Sequence, residues 1–563
     1  MAQGAYEEGL RVACAYPGTP STEILEYCAR IPEIESQWSV NEKVAFEVAL
    51  GASIRGARSL FAAKHVGVNV AMDPLMTSAY TGVGAGFVLV SCDDPGIHSS
   101  QNEQDNRLFA KAAKIPLIEP SSPSEAYSFI KTAFQVSEEF DTPVMFRMTT
   151  RISHTKENVI TGTRKDIPVR PFTVNVPKYV MVPGNAYKRH IELEQRLMRL
   201  KQYAEKTALN TIEINDRARG FITSGVSYLY AKEMYPGASF LKLGFNWPFP
   251  VALVKSFSRQ VKEVYVIEEL EPFLEEHVRL AGIACKGKHP SFRIGELKPE
   301  YIPYIIRGKP KEEKASSARK PVLCPGCPHR AVFAVLKKLK KIVTGDIGCY
   351  TLGALPPLSS LHTCVCMGSG ITFFEGFGKA GERNAVGVIG DSTFVHSGIT
   401  GLINAAYNKT RGVIIILDNS TTAMTGNQPH PGTGVTIRGE QTKKLSLEDL
   451  CRVCGADSVD VINPQDSSVL EKLIIQRTQE NALSVIIARY PCRFVLKVTG
   501  RSPAYDKDKC SKCYLCLTVD CPAIRRSEDG YIVVDNSLCA GCNVCVQMCR
   551  PGALSGNKTR HET

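Results

Sequence analysis

The sequence predicts a multidomain α/β chain built on parallel sheets, with a small cysteine-rich unit at its C-terminal end. Three observations predict this. Short apolar runs alternate with helical patterns through the first 150 residues, which is the signature of strand–helix–strand units and a parallel sheet. A second such alternation recurs between 321 and 498. Of the 20 cysteines in 563 residues, eight fall between 510 and 549, too dense a grouping for scattered core thiols.

Taken in order, the first region (1–165) carries apolar runs at Arg11 to Ala15, Phe87 to Cys92 and Pro143 to Met148, with helical patterns at Ser21 to Ala29 and Ser124 to Val136. Residues 184–210 place Leu193, Leu197, Leu200 and Ala204 at helical spacing among charged residues and read as an amphipathic connecting helix. With it, a smaller α/β unit completes the second region (166–310), with strands expected at Gly220 to Thr223 and Val264 to Glu268. A charged, Pro- and Ser-containing linker at 311–320 leads to the third region (321–498), and the cysteine-rich tail occupies 501–563.

Composition narrows the function. With 44% hydrophobic and 22% charged residues, the chain can bury several ordinary cores. Runs such as Gly82 to Val90 and Val413 to Leu417 are too short to cross a bilayer and suit buried strands, so no membrane span is expected. The first residues lack a basic stretch followed by an apolar one, which points to the cytoplasm and to reduced thiols that act as metal ligands before they act as disulfides. The formal net charge is +12. No basic run is interleaved with aromatics, so no nucleic-acid partner is expected, and the excess suits a solvated basic surface or attraction to an acidic protein.

In the tail, Cys510, Cys513, Cys516 and Cys521 are separated by two, two and four residues, and Pro522 follows. Cys539, Cys542, Cys545 and Cys549 are separated by two, two and three, with Arg550 standing before Pro551. Zinc more usually takes two pairs with a longer gap. The two runs resemble bacterial-type ferredoxins, in which the fourth cysteine of each run ligates the other of two [4Fe-4S] clusters. That resemblance implies one cluster on Cys510, Cys513, Cys516 and Cys549, and another on Cys539, Cys542, Cys545 and Cys521. The longer last spacing of the first run and the intervening arginine leave loop shape and potential open.

In the third region, Ala385 to Gly390 reads as a buried strand, Asp391 and Ser392 follow, then a helix with Ile399, Leu402, Ile403 and Ala406 on one face. A second strand, Gly412 to Leu417, ends in Asp418 and Asn419. This construction puts Asp391 and Asn419 at the carboxyl ends of neighbouring parallel strands, where open α/β sheets bind ligands. Two hard oxygen donors there, with a backbone carbonyl, suit Mg²⁺ completed by diphosphate oxygens and water. The segment resembles the diphosphate motif of thiamine-dependent enzymes, commonly Gly-Asp-Gly and, some two dozen residues later, Asn-Asn. Here Gly390, Asp391 and Asn419 match it, with Ser392, which still falls in the cofactor-binding segment, and Asp418 departing from the pattern at positions that are not expected to bind metal. The resemblance implies the carbonyl of Thr421 as third protein ligand.

Near the start, Tyr16-Pro17-Gly18-Thr19-Pro20-Ser21-Thr22-Glu23 precedes Asn41-Glu42-Lys43, and both segments resemble the pyrimidine-binding domain of 2-oxoacid:ferredoxin oxidoreductases. Thiamine chemistry requires a carboxylic acid on the aminopyrimidine, so that the imino nitrogen removes the thiazolium C2 proton. The resemblance implies that role for Glu42, a cofactor contact for Gly18, and substrate carboxylate binding for Thr19. The bland alternative for Glu42 is a solvated helix glutamate beside Lys43 and Glu47.

Cys324-Pro325-Gly326-Cys327-Pro328-His329, Cys349-Tyr350 and Arg489-Tyr490-Pro491-Cys492 flank the diphosphate motif. Members of this superfamily with a cluster beside the thiamine use a close pair, one further cysteine and a last one after a late strand. By that comparison Cys324, Cys327, Cys349 and Cys492 supply a third cluster, with structural thiols as the alternative. Cys364/Cys366 and Cys451/Cys454 read as core or incidental. Gly376-Phe377-Gly378-Lys379 lacks P-loop spacing, and the glycines at 82, 84 and 86 lack the acidic partner of a dinucleotide site.

In domain order the whole chain resembles the large (alpha) subunits of indolepyruvate:ferredoxin oxidoreductases. The resemblance implies oxidative decarboxylation of aryl pyruvates with coenzyme A, giving an aryl-acetyl-CoA, carbon dioxide and reduced ferredoxin. It also implies thiamine diphosphate, Mg²⁺, a smaller beta subunit and ferredoxin as acceptor. Pyruvate or another 2-oxoacid as substrate, and a non-catalytic iron–sulfur electron carrier, remain alternatives.

Overall fold

In the computed structural model, residues 1–311, 321–496 and 500–556 are described, and most of the expected linker lies outside them. The chain divides into two compact units, Met1–Ala315 and Ser316–Thr563.

The first unit begins with strands β1 (Val12–Ala15), β2 (Glu35–Trp38), β3 (Ser59–Lys64), β4 (Phe87–Asp93), β5 (Leu117–Ile118) and β6 (Val144–Thr149). It continues with β7 (Asn210–Glu213), β8 (Asp216–Thr223), β9 (Ala238–Leu243), β10 (Phe245–Trp247) and β11 (Glu263–Ile267). The first sheet has the order β10-β5-β6-β4-β3-β1-β2 and is parallel except for β10. Its central strands are largely apolar and buried almost end to end because helices cover both faces. The second sheet, β11-β8-β9-β7, carries one apolar cluster around Phe221 and Phe240 and another around Phe257 and Phe273.

Two expectations are corrected here. The first sheet is not confined to residues 1–165, because β10 leaves the second region and pairs antiparallel with β5. The helix Pro183–Ala204 is more than a connection, since Leu193 joins the core of the first sheet. Its buried face also differs from the apolar periodicity. Arg189 and Arg196 are buried with Leu193, Leu200 and Ala204, while Leu197 is only half-buried. The Arg196 guanidinium donates to Ala79 O at 2.7 Å and that of Arg189 to Tyr80 O, also at 2.7 Å, so they cap the carbonyls that close the helix Met72–Thr81.

A buried ionic network ties the two sheets together. Arg107, 1% exposed, donates to Asp105 (2.9 Å), to Glu268 at the end of β11 (2.7 Å) and to the carbonyls of Glu269 and Glu271. Burial alone would push the Asp105 carboxyl up, but the guanidiniums of Arg107 and Arg147 hold it at about 2. Arg107→Leu is expected to destabilise the protein by about 3–5 kcal/mol, because Asp105 and Glu268 would lose a buried counter-ion. Denaturant unfolding measures the loss. The folded pKa of Asp105 lies below its unfolded value, so its contribution is present above pH of about 4 and fades as pH falls toward 2. The same titration of Arg107→Leu should show a shallower acid limb.

The second unit holds β12 (Ile342–Thr344), β13 (Ala385–Gly390), β14 (Gly412–Asp418), β15 (Ser458–Ile462) and β16 (Leu483–Arg489) in a fully parallel sheet, β12-β13-β14-β16-β15. After β13 the chain is helical from Asp391 to Tyr407, with a π-helical segment at Phe394–Gly398. That widened turn rotates the final helix, so Gly401, Leu402 and Ala405 are buried while Ile403 is half exposed, unlike the expected face.

The tail contains β17 (Ala504–Tyr505), β18 (Ile524–Arg526), β19 (Ile532–Val534) and β20 (Leu554–Ser555). β17 pairs with β20 and β18 with β19, both antiparallel. Each half thus runs strand, short helix, strand, and each cysteine run leads into its short helix, Leu515–Val519 or Val544–Gln547. Among the described residues no helix is long and apolar enough to cross a membrane.

Candidate functional site

In the first unit, the turn after β1 carries Gly18 and Thr19. Gly18 N–H donates to Thr22 Oγ1 at 3.1 Å, and Ser21 Oγ donates to Gly18 O at 2.6 Å, so the helix Thr22–Ala29 starts directly from the turn. Thr19 is half-buried there.

Glu42 is the first residue of the helix Glu42–Arg55, which Asn41 caps by accepting Val44 N–H at 2.9 Å. Glu42 is only 6% exposed, whereas Lys43 and Glu47 pair with each other on the solvent side. The solvated-helix alternative therefore suits Lys43 and Glu47 and not Glu42. Two neighbours escaped the sequence reading. Lys64, at the end of β3, packs its stem against Gly18 and lies within electrostatic reach of Glu42, and burial pushes its ammonium down. Gly67 lies so close to Glu42 that an added Cβ would fall 2.5 Å from Oε1. Gly67→Ala should displace the carboxyl without disturbing the core, since the atoms struck, Oε1, Cδ and Cγ, all belong to the Glu42 side chain. Turnover is expected to fall about 10²-fold with unfolding temperature unchanged; kinetics beside a melting curve check this, and wild-type turnover would contradict it.

In the second unit, Asp391 and Asn419 follow adjacent parallel strands, and both are buried. Ser420 adopts a left-handed conformation (φ 59°), unusual for a residue with a side chain, and this turns its N–H onto Asp391 Oδ2 at 2.9 Å. Asp391 Oδ1 accepts Ser392 N–H (2.9 Å), and Thr421 N–H donates to Asn419 Oδ1 (3.2 Å). Asp391, Asn419 and Thr421 thus lie on one loop pair at the carboxyl edge of the sheet. Ser392 Oγ contacts Thr422 Oγ1 at 2.8 Å and closes the other side.

The structure explains the aspartate at 418. Burial and the neighbouring Asp391 push its carboxyl up, but Arg489, its register partner on β16, donates to Oδ2 at 2.6 Å and also engages Glu448. His430, not anticipated from sequence, reaches back across the loop to Asp391 Oδ2 at 3.2 Å. Its only local signal was a histidine between two prolines. His329, quoted above only as part of a motif, contacts Asn419 Nδ2 through Nε2 at 3.3 Å. Burial pushes His329 down to about 4, so the ring is neutral and Nε2 is available as an acceptor.

None of the 20 cysteines forms a disulfide. Burial, then mutual repulsion, pushes several of them up, and the identities of the repelling neighbours sort them into sets. Cys327 rises to about 12 beside Cys349 and Cys324, Cys349 to about 11 beside Cys324 and Cys492. In the tail, Cys516 rises to about 11 beside Cys549, Cys513 and Cys510, and Cys545 is pushed up beside Cys542, Cys521 and Cys539. Cys521, Cys539, Cys542 and Cys545 line one cavity, together with Cys327 and Arg330. A Cβ at Gly326 would fall 2.4 Å from that of Ala540, so the Cys324–Cys327 loop rests directly on the loop between Cys539 and Cys542. Arg330 fastens the joint by donating to Val519 O at 3.0 Å. Among the described residues no three His, Cys, Asp or Glu side chains close to the spacing of a single metal ion. Of the remaining pairs, Cys451 and Cys454 are buried and Cys366 is exposed.

Comparison with known proteins places these elements. Residues 3–198 match the family described as pyruvate flavodoxin/ferredoxin oxidoreductase, thiamine diP-binding, and residues 346–488 match the thiamine pyrophosphate enzyme C-terminal TPP-binding domain. The chain is 40% identical to indolepyruvate oxidoreductase subunit IorA of Methanothermobacter marburgensis, covering 98% of this chain and 95% of the relative. It is 39% identical to that of Archaeoglobus fulgidus (99% and 96%) and 36% identical to that of Pyrococcus horikoshii (98% and 95%). The match thus runs nearly end to end in both members of each pair, and the chain belongs to the indolepyruvate oxidoreductase subunit IorA family of thiamine-dependent 2-oxoacid:ferredoxin oxidoreductases.

Proposed function

We propose that this chain is the large, catalytic subunit of an enzyme that oxidatively decarboxylates aryl pyruvates with coenzyme A. The step balances as 2-oxoacid plus CoA thiol giving acyl-CoA, carbon dioxide, one proton and two electrons, the electrons passing to two oxidised ferredoxins. The observation that carries the reading is the convergence of Cys324, Cys327, Cys349 and Cys492 beside the Asp391/Asn419 loops. A thiamine site alone would serve non-oxidative decarboxylation. A thiolate set next to it supplies a one-electron outlet. The near full-length likeness to indolepyruvate oxidoreductase subunits supports an aryl side chain and a partner subunit.

The donor sets suit the groups assigned to them. Asp391, Asn419 and the carbonyl of Thr421 are hard oxygen donors at buried strand ends, as Mg²⁺ requires. Two sets of four tail thiols and one inner set each match one [4Fe-4S] cluster, and clustered thiols that repel one another are relieved by iron. When bound, thiamine diphosphate supplies the electron sink for decarboxylation. Glu42 holds a proton at the aminopyrimidine, Gly18 lets the backbone approach the cofactor, Thr19 offers a hydroxyl to the substrate carboxylate, and Asp391 and Asn419 hold the diphosphate end. The order of the thiolate sets suggests a path from the inner set, through Cys521/Cys539/Cys542/Cys545, to the set containing the exposed Cys513.

The test is anaerobic assay of the complex with its partner subunit, using indolepyruvate, phenylpyruvate, pyruvate and 2-oxoglutarate with CoA and ferredoxin. Preference for the aryl substrates is expected. Equal or better turnover of pyruvate would favour the broader 2-oxoacid reading, and absence of any 2-oxoacid-dependent reduction would leave an electron carrier.

A further inference from the structure

His329 stands where the inner cysteine set meets the diphosphate loops. Its backbone N–H donates to the sulfur of Cys327. Its ring nitrogen Nε2 lies 3.3 Å from Asn419 Nδ2. Thr421 N–H on Asn419 Oδ1 fixes which end of the amide faces the ring, so Nδ2 donates and Nε2 is the acceptor.

The other two cysteine segments make parallel contacts with the same motif. Cys492 N–H donates to the Asn419 carbonyl at 2.9 Å. The ring of Tyr350, next to Cys349, fills the space beside Gly390, where an added Cβ would fall 2.7 Å from it. That ring also meets His329 edge-on, with centroids 5.8 Å apart. Every segment that carries an inner cysteine therefore touches Gly390 or Asn419.

We propose that His329 is a positioning residue that couples the inner cysteine set to the diphosphate site, so that filling either site strengthens the other. By engaging Nδ2, the ring keeps the Asn419 oxygen turned toward the Thr421 loop, where a Mg²⁺–diphosphate would need it. Cys327 with a cluster bound would hold the loop that carries His329 in order, and Asn419 with the cofactor bound would hold in order the loop on which Cys492 hangs. Coupling of this kind is reciprocal. The inference rests on the reading that the inner set holds a cluster and that Asp391 and Asn419 hold Mg²⁺ and thiamine diphosphate.

The experiment compares wild type, His329→Gln and His329→Leu as the full complex, purified anaerobically. Three quantities are read: iron content, affinity for thiamine diphosphate with Mg²⁺ by equilibrium dialysis, and the rate of iron loss to a chelator with and without that cofactor. Glutamine can place an amide oxygen where Nε2 stands; leucine cannot accept. Wild type should hold about twelve irons, and saturating cofactor should slow loss of the inner iron by about fivefold or more. His329→Leu should keep its iron as isolated, bind cofactor about 10- to 100-fold more weakly and lose the protection. His329→Gln should recover both. Leucine behaving as wild type, glutamine failing as leucine does, or loss of inner iron from both variants as isolated would each overturn the coupling. Wild type holding about eight irons, or failing to bind the cofactor, would instead sink the underlying reading.

Discussion

Glu42→Gln is expected to lower turnover by about 10²- to 10⁴-fold or below detection, while iron content stays at the wild-type level. Glu42 is buried at the head of its helix, and Gly67 leaves it room. Glutamine keeps the shape and removes the exchangeable carboxyl proton that the cofactor's aminopyrimidine requires. Binding of thiamine diphosphate should change little, because the diphosphate contacts are assigned to other residues. The decisive measurement is 2-oxoacid-dependent ferredoxin reduction beside an iron assay on the same preparation. Near-wild-type turnover would remove Glu42 from its role.

Cys349→Ala should reduce bound iron from about twelve to about eight per chain and stop ferredoxin reduction. Cys349 lies within the electrostatic reach of Cys324 and Cys492, and Cys327 feels Cys349 and Cys324 in turn, so one substitution breaks the inner set. The tail sets draw on eight other cysteines and should keep their low-temperature electron resonance signals. Iron analysis with that spectroscopy separates the outcomes. An iron count that stays at about twelve would remove Cys349 from the inner set, and a wild-type count of about eight would make the four inner cysteines structural thiols.

Much of this molecule was legible before any coordinates. Asp391 and Asn419 could be set at strand ends because β13 and β14 are continuous apolar runs punctuated by an acid and an amide, and such runs declare themselves locally. The two tail runs were equally plain as a pattern, since the spacing of their cysteines is local. The less legible features all depend on distant segments meeting. Lys64 and Gly67 are unremarkable in sequence, and they matter because β3 ends beside the start of the helix that bears Glu42. Arg489 reads as a generic charge until parallel register places it opposite Asp418. β10 and the buried arginines of the helix Pro183–Ala204 broke the expected boundaries because a sheet edge and exposed helix-end carbonyls take partners from wherever the chain passes.

Residue order alone was sufficient for where the candidate residues sit, with Asp391 and Asn419 at the ends of buried strands and eight cysteines gathered in the tail. Local period and spacing encode those things within one or two turns of chain. Folding added the company each residue keeps. It brought four cysteines spread over 324 to 492 into mutual repulsion, gave His329 to Asn419 and His430 to Asp391, and left Glu42 buried while its neighbours Lys43 and Glu47 paired in solvent. Such contacts arise from burial and strand register acting over long separations, and no short window of sequence contains them.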